Sequence, residues 1–512
     1  MLSSVALMLA SSAQAQNPVA LIGLDGVEPA VLEAMWAAGE LPNLAALAER
    51  GAYAPLRTDY QSKSPVVWTS VATGRTPTEH GIEDFVSANT GTQVPVSSTD
   101  RRVEALWNIA SANDLRVLQL GWWGTWPVEE VNGVALSSRA NLEETHFGWP
   151  VDTERRVYRW RRIAQQVYGD TFPGDKLAAP DDRLYTWVAV DQHERSDFDL
   201  TMVYLHRVDL ASHRYYRYFQ PVDGALAPET LATLEGDALT FYDAYRAVDR
   251  AVGDMVAAMD QNTNVLVVSD HGFTHMDTYH VVHFRLEAVL QHLDLWRGTP
   301  QGVDWRRTSF YVHSSPNMRA KKKVRVNLEG REAFGTVAPE EADAMVAELR
   351  ETLSRVVWKH SGEPVFLFPE KLPHQDCELV VEVDTTDPGD IIELDGRRVP
   401  DAVLNIVQHS GTHNGRQPGV LIAAGPDIAQ SAELENPYIL DIAPTLLHAL
   451  SLPVADDMTG RVMRELFTGD LATREVVRIP SWEPKGARQG DATPSDADEE
   501  MLDALRALSY ID

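Results

Sequence analysis

Cysteine is nearly absent: Cys377 is the only one in 512 residues. An intramolecular disulfide is therefore excluded, as are zinc modules built from several thiolates. Basic charge is also scarce, with 45 Lys and Arg against 75 Asp and Glu and a net charge of −30. A surface this acidic lacks the basic patches that a nucleic acid polymer needs. A small phosphate ester stays compatible, because bound divalent cations reverse the field locally. No apolar run reaches the ~20 residues that cross a bilayer. A basic segment is missing ahead of the short apolar run Val5 to Ala10, yet Ala13-Gln14-Ala15 before Gln16 has the form of a cleavage site. Residues 1–16 are accordingly read as a signal peptide, and the mature chain as periplasmic or secreted rather than cytoplasmic.

What remains is the composition of a globular protein, 44% apolar and 23% charged. The length admits one large domain with insertions or two to three smaller ones. Its most informative stretch is Gln61 to Ile82. Ser64 precedes Pro65, then the run Val66 to Ala72, then Thr73-Gly74. This predicts a short helix with Ser64 as its N-cap, Pro65 in its first position and Gly74 at its end. The hydroxyl would sit where unpaired backbone N–H groups collect, a natural anion site.

Around it, short apolar runs end in polar residues. Asn17 to Leu24 reads as a buried parallel strand ending at Asp25-Gly26, and Glu28 to Arg50 has helical spacing. A strand, a polar tip and a helix make one unit of an α/β sheet, whose ligands gather beyond the carboxyl ends of the strands. Phe198 to Leu205 is a second such strand. It leads to His206, a competing candidate ligand or a supporting residue nearer the strand, and to Asp209-x-x-x-His213, whose side chains share one face of a helical turn. Thr263 to Ser269 is a third strand and ends in Asp270-His271-Gly272-Phe273. His413 lies in a polar loop before the core strand Pro418 to Ala424. Three tryptophans, Trp122, Trp123 and Trp126, follow the strand Arg116 to Gly121. Asp25, Asp209, Asp270, His213, His271, His413 and the Ser64 hydroxyl together suit a pair of divalent cations. Paired metals are a common device for phosphoryl displacement, and metal coordination can activate a hydroxyl that has no neighbouring base.

At these motifs the sequence resembles the type I phosphodiesterase/nucleotide pyrophosphatase branch of the alkaline phosphatase superfamily. The matching pieces are LIGLDG at Asp25, SPVVWTSVATGRTPTEHGI at Ser64, the Asp209/His213 pair, SDHGF at Asp270 and SGTH at His413. They cover about residues 17–150, 196–285 and 405–450. The resemblance implies an α/β fold, a three-layer α/β/α sandwich with a mostly parallel central sheet and inserted cap regions. It also implies two zinc ions, although other divalent metals suit the same donors. Asp25, Ser64, Asp270 and His271 would hold one ion; Asp209, His213 and His413 would hold the other. Two departures stand out. Serine precedes proline directly where the nucleotide pyrophosphatases carry threonine in a T-F-P-N setting. Their phosphoryl-binding asparagine falls on Phe85, with Asn89 and Lys63 the nearby side chains able to take its place. The sulfatase motif C/S-x-P-x-R is lacking.

The expected organisation is a signal peptide (1–16), catalytic core (17–140), insertion (141–195), core (196–285), insertion or cap domain (286–404), core (405–470), and a linker with a tail helix (471–512). The expected function is metal-dependent hydrolysis of a small-molecule phosphate ester, phosphodiesterase/nucleotide pyrophosphatase-like, through a Ser64 nucleophile, two divalent metal ions and a phosphoserine. A phosphomonoesterase or phosphonate hydrolase of the same superfamily is the alternative within enzymes. A catalytically silent, metal-stabilised binding protein is the alternative outside them. Oligomeric state is left open.

Overall fold

In a computed structural model, the short apolar runs become strands of one sheet. Residues 16–505 are described, apart from 60–62, 88–93, 141, 143–144, 170–181, 222–225, 227–230, 300–301, 314–320, 371–376, 414–415, 484–492, 496, 499–500 and 503–504. The signal peptide expected over 1–16 falls, but for Gln16, outside the described residues, as do Asn89 and part of the expected tail helix.

The strands are β1 (Val19–Leu24), β2 (Ala52–Leu56), β3 (Val117–Leu120), β4 (Gly133–Leu136), β5 (Gly148–Trp149), β6 (Leu200–Leu205), β7 (Asn264–Val268) and β8 (Gly419–Ala424). Their order across the sheet is β2-β8-β7-β1-β6-β3-β4-β5. The centre is parallel: β7, β1, β6, β3 and β4 all run one way. Only β2, β8 and β5 add antiparallel contacts. Strands β1, β6 and β7 are buried along their whole length, which is why they read as continuous apolar runs rather than alternating ones.

Helices cover both faces. Ala20, Ile22 and Leu24 of β1 enter a core shared with α1 (Pro29–Ala37), α2 (Pro42–Arg50), α5 (Asp152–Tyr168), α6 (Asp182–His193), α7 (Arg207–Tyr215) and α8 (Gly236–Ala258). On the opposite face, Gly23 lies against Trp68 of α3 (Ser64–Thr73). The architecture is thus a three-layer α/β/α sandwich around a mostly parallel sheet. The segment 141–195 contributes the edge strand β5 and two helices whose apolar faces join this core. The arginines of α5 at 155, 156 and 159 face solvent.

Two local details differ from the sequence reading. The helix expected over Glu28 to Arg50 is two helices, because Gly39 turns left-handed and Pro42 starts anew. Ser64 is the first residue of α3 rather than its cap; Lys63 holds the extended N-cap conformation and Pro65 comes second. Gly74 ends α3 in the left-handed region, as the pattern predicts.

All ten residues of α3 are buried, so their polar groups must be paired internally. The Thr69 and Thr73 hydroxyls donate to the carbonyls of Pro65 and Thr69. The Ser70 hydroxyl donates to the Val66 carbonyl and pairs with His80 Nε2 at 2.9 Å. The Ile82 N–H donates to His80 Nδ1, so the ring proton sits on Nε2 and points at Ser70. Burial, helped by Arg101, pushes the His80 pKa down to about 3. His80 is therefore a neutral strut between α3 and α4 (Pro77–His80).

A second compact unit holds Met276–Gly411. The strands Thr274–Phe284 and Val403–Thr412 pair with each other. The unit has its own core, including Leu286, Phe310, Val324, Leu353, Trp358 and Val381. A four-stranded and a three-stranded sheet build it, both antiparallel in every pair.

Candidate metal centre

Three adjacent parallel strands finish at one rim. Gly23 of β1 is level with Tyr204 of β6 and Val268 of β7. The residues just past those ends are Asp25 after β1, Ser269 to His271 after β7, and His206 after β6. Helix α7 follows, with Asp209 and His213 one turn apart. Gly26 lets the chain turn there; it has φ +72°, and a Cβ would come within 2.9 Å of the Asp209 backbone.

Backbone donors lace these tips together. The Gly26 and His271 N–H groups donate to Asp270 Oδ1 at 3.2 and 3.1 Å. Ser269 Oγ accepts from the Val27 N–H and donates to the His271 carbonyl. Glu28 accepts from the Phe273 N–H at 2.7 Å, fixing the turn after His271.

The remaining atoms face one another without conventional partners. Asp25 Oδ1, Asp270 Oδ2 and His271 Nε2 are buried and accept or donate no hydrogen bond among the described residues. The His271 Nδ1–H donates to the Gly272 carbonyl, which can only accept, so Nε2 presents a lone pair. That lone pair lies 3.5 Å from Asp25 Oδ1 and 3.5 Å from Asp270 Oδ2. Three acceptors turned on each other repel unless a cation sits among them. Donors on a tetrahedral zinc ion, with bonds of about 2.1 Å, are about 3.4 Å apart. The spacing and the O/N donor set therefore fit a divalent cation.

A second group adjoins the first. Asp209 Oδ1 lies 3.5 Å from His213 Nε2, 3.9 Å from His413 Nε2 and 4.0 Å from His271 Nε2. The two nitrogens of His213 and His413 are 3.1 Å apart. Asp25, Asp270 and His271 form one candidate ligand triplet; Asp209, His271 and His413 form another. His271 thus stands between the two groups rather than wholly in the first. Phe273 packs edge-on against His213 and His413, with centroids 4.9 and 5.2 Å away. His206 Nε2 is 3.4 Å from Asp209 Oδ2, which places it behind the carboxylate as a support.

Asp25, Asp209 and Asp270 are each 0% exposed, and a buried carboxylate is costly unless paired or bound to metal. Without a cation, burial and then Asp270 and Asp209 hold the Asp25 carboxyl well above the usual range. Burial, then Asp209, pushes Asp270 up to about 7. Burial also opposes ionisation of Asp209, but His213, His206 and His413 overcome it and hold that carboxyl well below its ordinary value.

Six of the seven residues singled out by sequence thus converge: Asp25, Asp209, His213, Asp270, His271 and His413. Ser64 is buried at the start of α3, and it is the helix that meets the group. Trp68, one turn further along α3, donates its indole N–H to Asp25 Oδ2 at 3.2 Å. Lys63 pairs with Asp84 at 2.5 Å beside the helix start. Phe85 is buried edge-on against Trp123, so no polar side chain comes from that position. Sequence reasoning missed Trp68, Tyr204 and Glu28 as partners of the cluster. Only the fourfold spacing of Ser64 and Trp68 hinted at any of them.

A family model described as type I phosphodiesterase/nucleotide pyrophosphatase matches residues 19–413. No curated protein matches the sequence. Among solved structures, the chain is similar to the phosphonoacetate hydrolase of Sinorhizobium meliloti 1021 in complex with phosphonoformate. The identity is 16%, the coverage is 85% of this chain and 95% of that one, and the TM-score is 0.43.

Proposed function

The chain belongs to the type I phosphodiesterase/nucleotide pyrophosphatase family and is a phosphoric ester hydrolase, and from that premise we propose that it cleaves small phosphate esters through Ser64 beside two divalent cations, zinc by preference. One observation carries the reading: the lone pair of His271 Nε2 is aimed at two buried carboxylate oxygens, each 3.5 Å away. Asp25, Asp270 and His271 would hold one cation, and Asp209, His213 and His413 the other. Bound cations would neutralise phosphoryl oxygens and favour the ionised form of the Ser64 hydroxyl.

The chain's own part is positioning. Pro65 has no N–H and the Val66 and Val67 N–H groups donate to the Lys63 carbonyl, so the start of α3 offers the Ser64 N–H to an anionic oxygen of the ester. Ser64 Oγ gives up its proton to solvent and attacks phosphorus, the Oγ–P bond forms, and the bond to the leaving oxygen breaks. The departing alkoxide takes up a proton from solvent. Water then attacks the phosphoserine, the Oγ–P bond breaks, and Ser64 regains its proton.

Ser64→Ala is expected to lower turnover by at least about a thousandfold while the metal content of the purified protein stays unchanged. Normal turnover in that variant would remove Ser64 from the role, and metal-free active enzyme would remove the cations. The buried Phe85 favours a second reading, a phosphomonoester or phosphonate in place of a nucleotide-type diester. Parallel rates on bis-p-nitrophenyl phosphate, p-nitrophenyl phosphate and a p-nitrophenyl phosphonate separate the three.

A further inference from the structure

Asp25 is held from behind by two donors on different elements. Its Oδ2 accepts from the Trp68 indole N–H at 3.2 Å and from the Tyr204 hydroxyl. The Trp123 indole N–H in turn donates to the Tyr204 oxygen at 2.8 Å. An indole nitrogen can only donate, so the direction of this chain is fixed: Trp123 to Tyr204, Tyr204 to Asp25. With Oδ2 filled twice, Oδ1 is the oxygen left facing His271 Nε2.

The same cage ties Asp25 to the helix that carries Ser64. Trp68 is fully buried and packs edge-on against Trp122 and Tyr204, with centroids 5.2 and 5.1 Å away. The Trp122 indole N–H donates to the Trp68 carbonyl at 2.9 Å, pinning the middle of α3. Gly23 leaves room for the ring, since a Cβ there would lie 2.6 Å from it.

We propose that Trp68 and Tyr204 are positioning residues that restrict Asp25 to one-oxygen binding of its cation and register Ser64 against it. This rests on the metal-dependent reading above. Removing either donor frees Oδ2 to swing, so the cation site loses its preset geometry. Groups that orient a metal ligand from behind are commonly worth 10- to 100-fold in affinity.

Tyr204→Phe deletes one oxygen and keeps the ring, and Trp68→Phe deletes the N–H. Each variant would be stripped with chelator and titrated with Zn2+ against a chromogenic chelator, with thermal unfolding of the stripped protein measured alongside. The expected result is affinity about 10- to 100-fold weaker at one of two sites, with the stripped protein melting within a few degrees of wild type. Trp123→Phe, acting through Tyr204, should weaken binding less. A lowered melting point with unchanged Zn2+ affinity would show a packing role alone and overturn the proposal. If Trp68→Phe does not fold, Tyr204→Phe decides by itself. Unchanged affinity in variants of a wild type that binds two Zn2+ sinks this inference only; a wild type that binds none sinks the metal reading with it.

Discussion

The two halves of the cluster are built differently. The half around Asp25, Asp270 and His271 sits on strand ends, fully buried, with Asp25 fixed by aromatic donors, Asp270 by backbone N–H groups and His271 by the Gly272 carbonyl. The half around Asp209, His213 and His413 uses a helix and a loop, and its two imidazoles keep 17% and 12% exposure. Both imidazoles pack edge-on against Phe273. The contrast shows how rigidity follows backbone. A parallel strand end cannot shift without breaking its ladder, whereas a helix face and a loop can give. The deep half is therefore expected to bind tightly and the shallow half to exchange.

The largest effect should come from the deep half. Asp270→Asn removes a charge from the triplet and is expected to cut turnover by at least about a thousandfold, with one cation lost. The same change should raise the melting point of the chelator-treated protein, because it relieves repulsion among three buried carboxylates. A fall in that melting point would mean the carboxylates are not in conflict. A smaller effect is expected in the shallow half. His213→Ala should weaken one of two cations by about 10- to 100-fold and leave the other bound. Loss of both, read by metal analysis after dialysis, would abolish the distinction between the halves.

The smallest effect is on stability against pH in the stripped protein. Asp270 titrates near 7 in the fold but near its ordinary 3.8 when unfolded. Between those values the folded chain binds the extra proton, so stability present at low pH is lost as pH rises through about 7. Asp25 shifts in the same direction. The stripped protein should melt a few degrees lower at pH 8 than at pH 5, and Asp270→Asn should flatten that slope.

Much of this centre is legible in the sequence because each strand that carries a ligand is buried on both faces. Asp25 and Asp270 announce themselves as polar residues closing uninterrupted apolar runs. The Asp209/His213 pair is legible for a different reason, the fixed pitch of a helix. Contacts that depend on strand register are not legible. Tyr204 meets Asp25 only because β1 and β6 pair with Gly23 level with Tyr204, and nothing local in either segment encodes that. His413 is placed by its motif alone, since a loop has no period to read. The second unit resists for another reason: many of its strands are two to six residues long, too short for alternation to stand out. Val324 and Val326 are buried in Lys321–Val326, yet the neighbouring lysines dominate the pattern.

Gly23 brings no side chain to the cluster, yet it sets the standoff between the sheet and the serine-bearing helix. A single added methyl would act as a shim under the Trp68 ring. The position of α3, and of Ser64 with it, is thus governed from beneath, by the side-chain volume that Gly23 does not occupy.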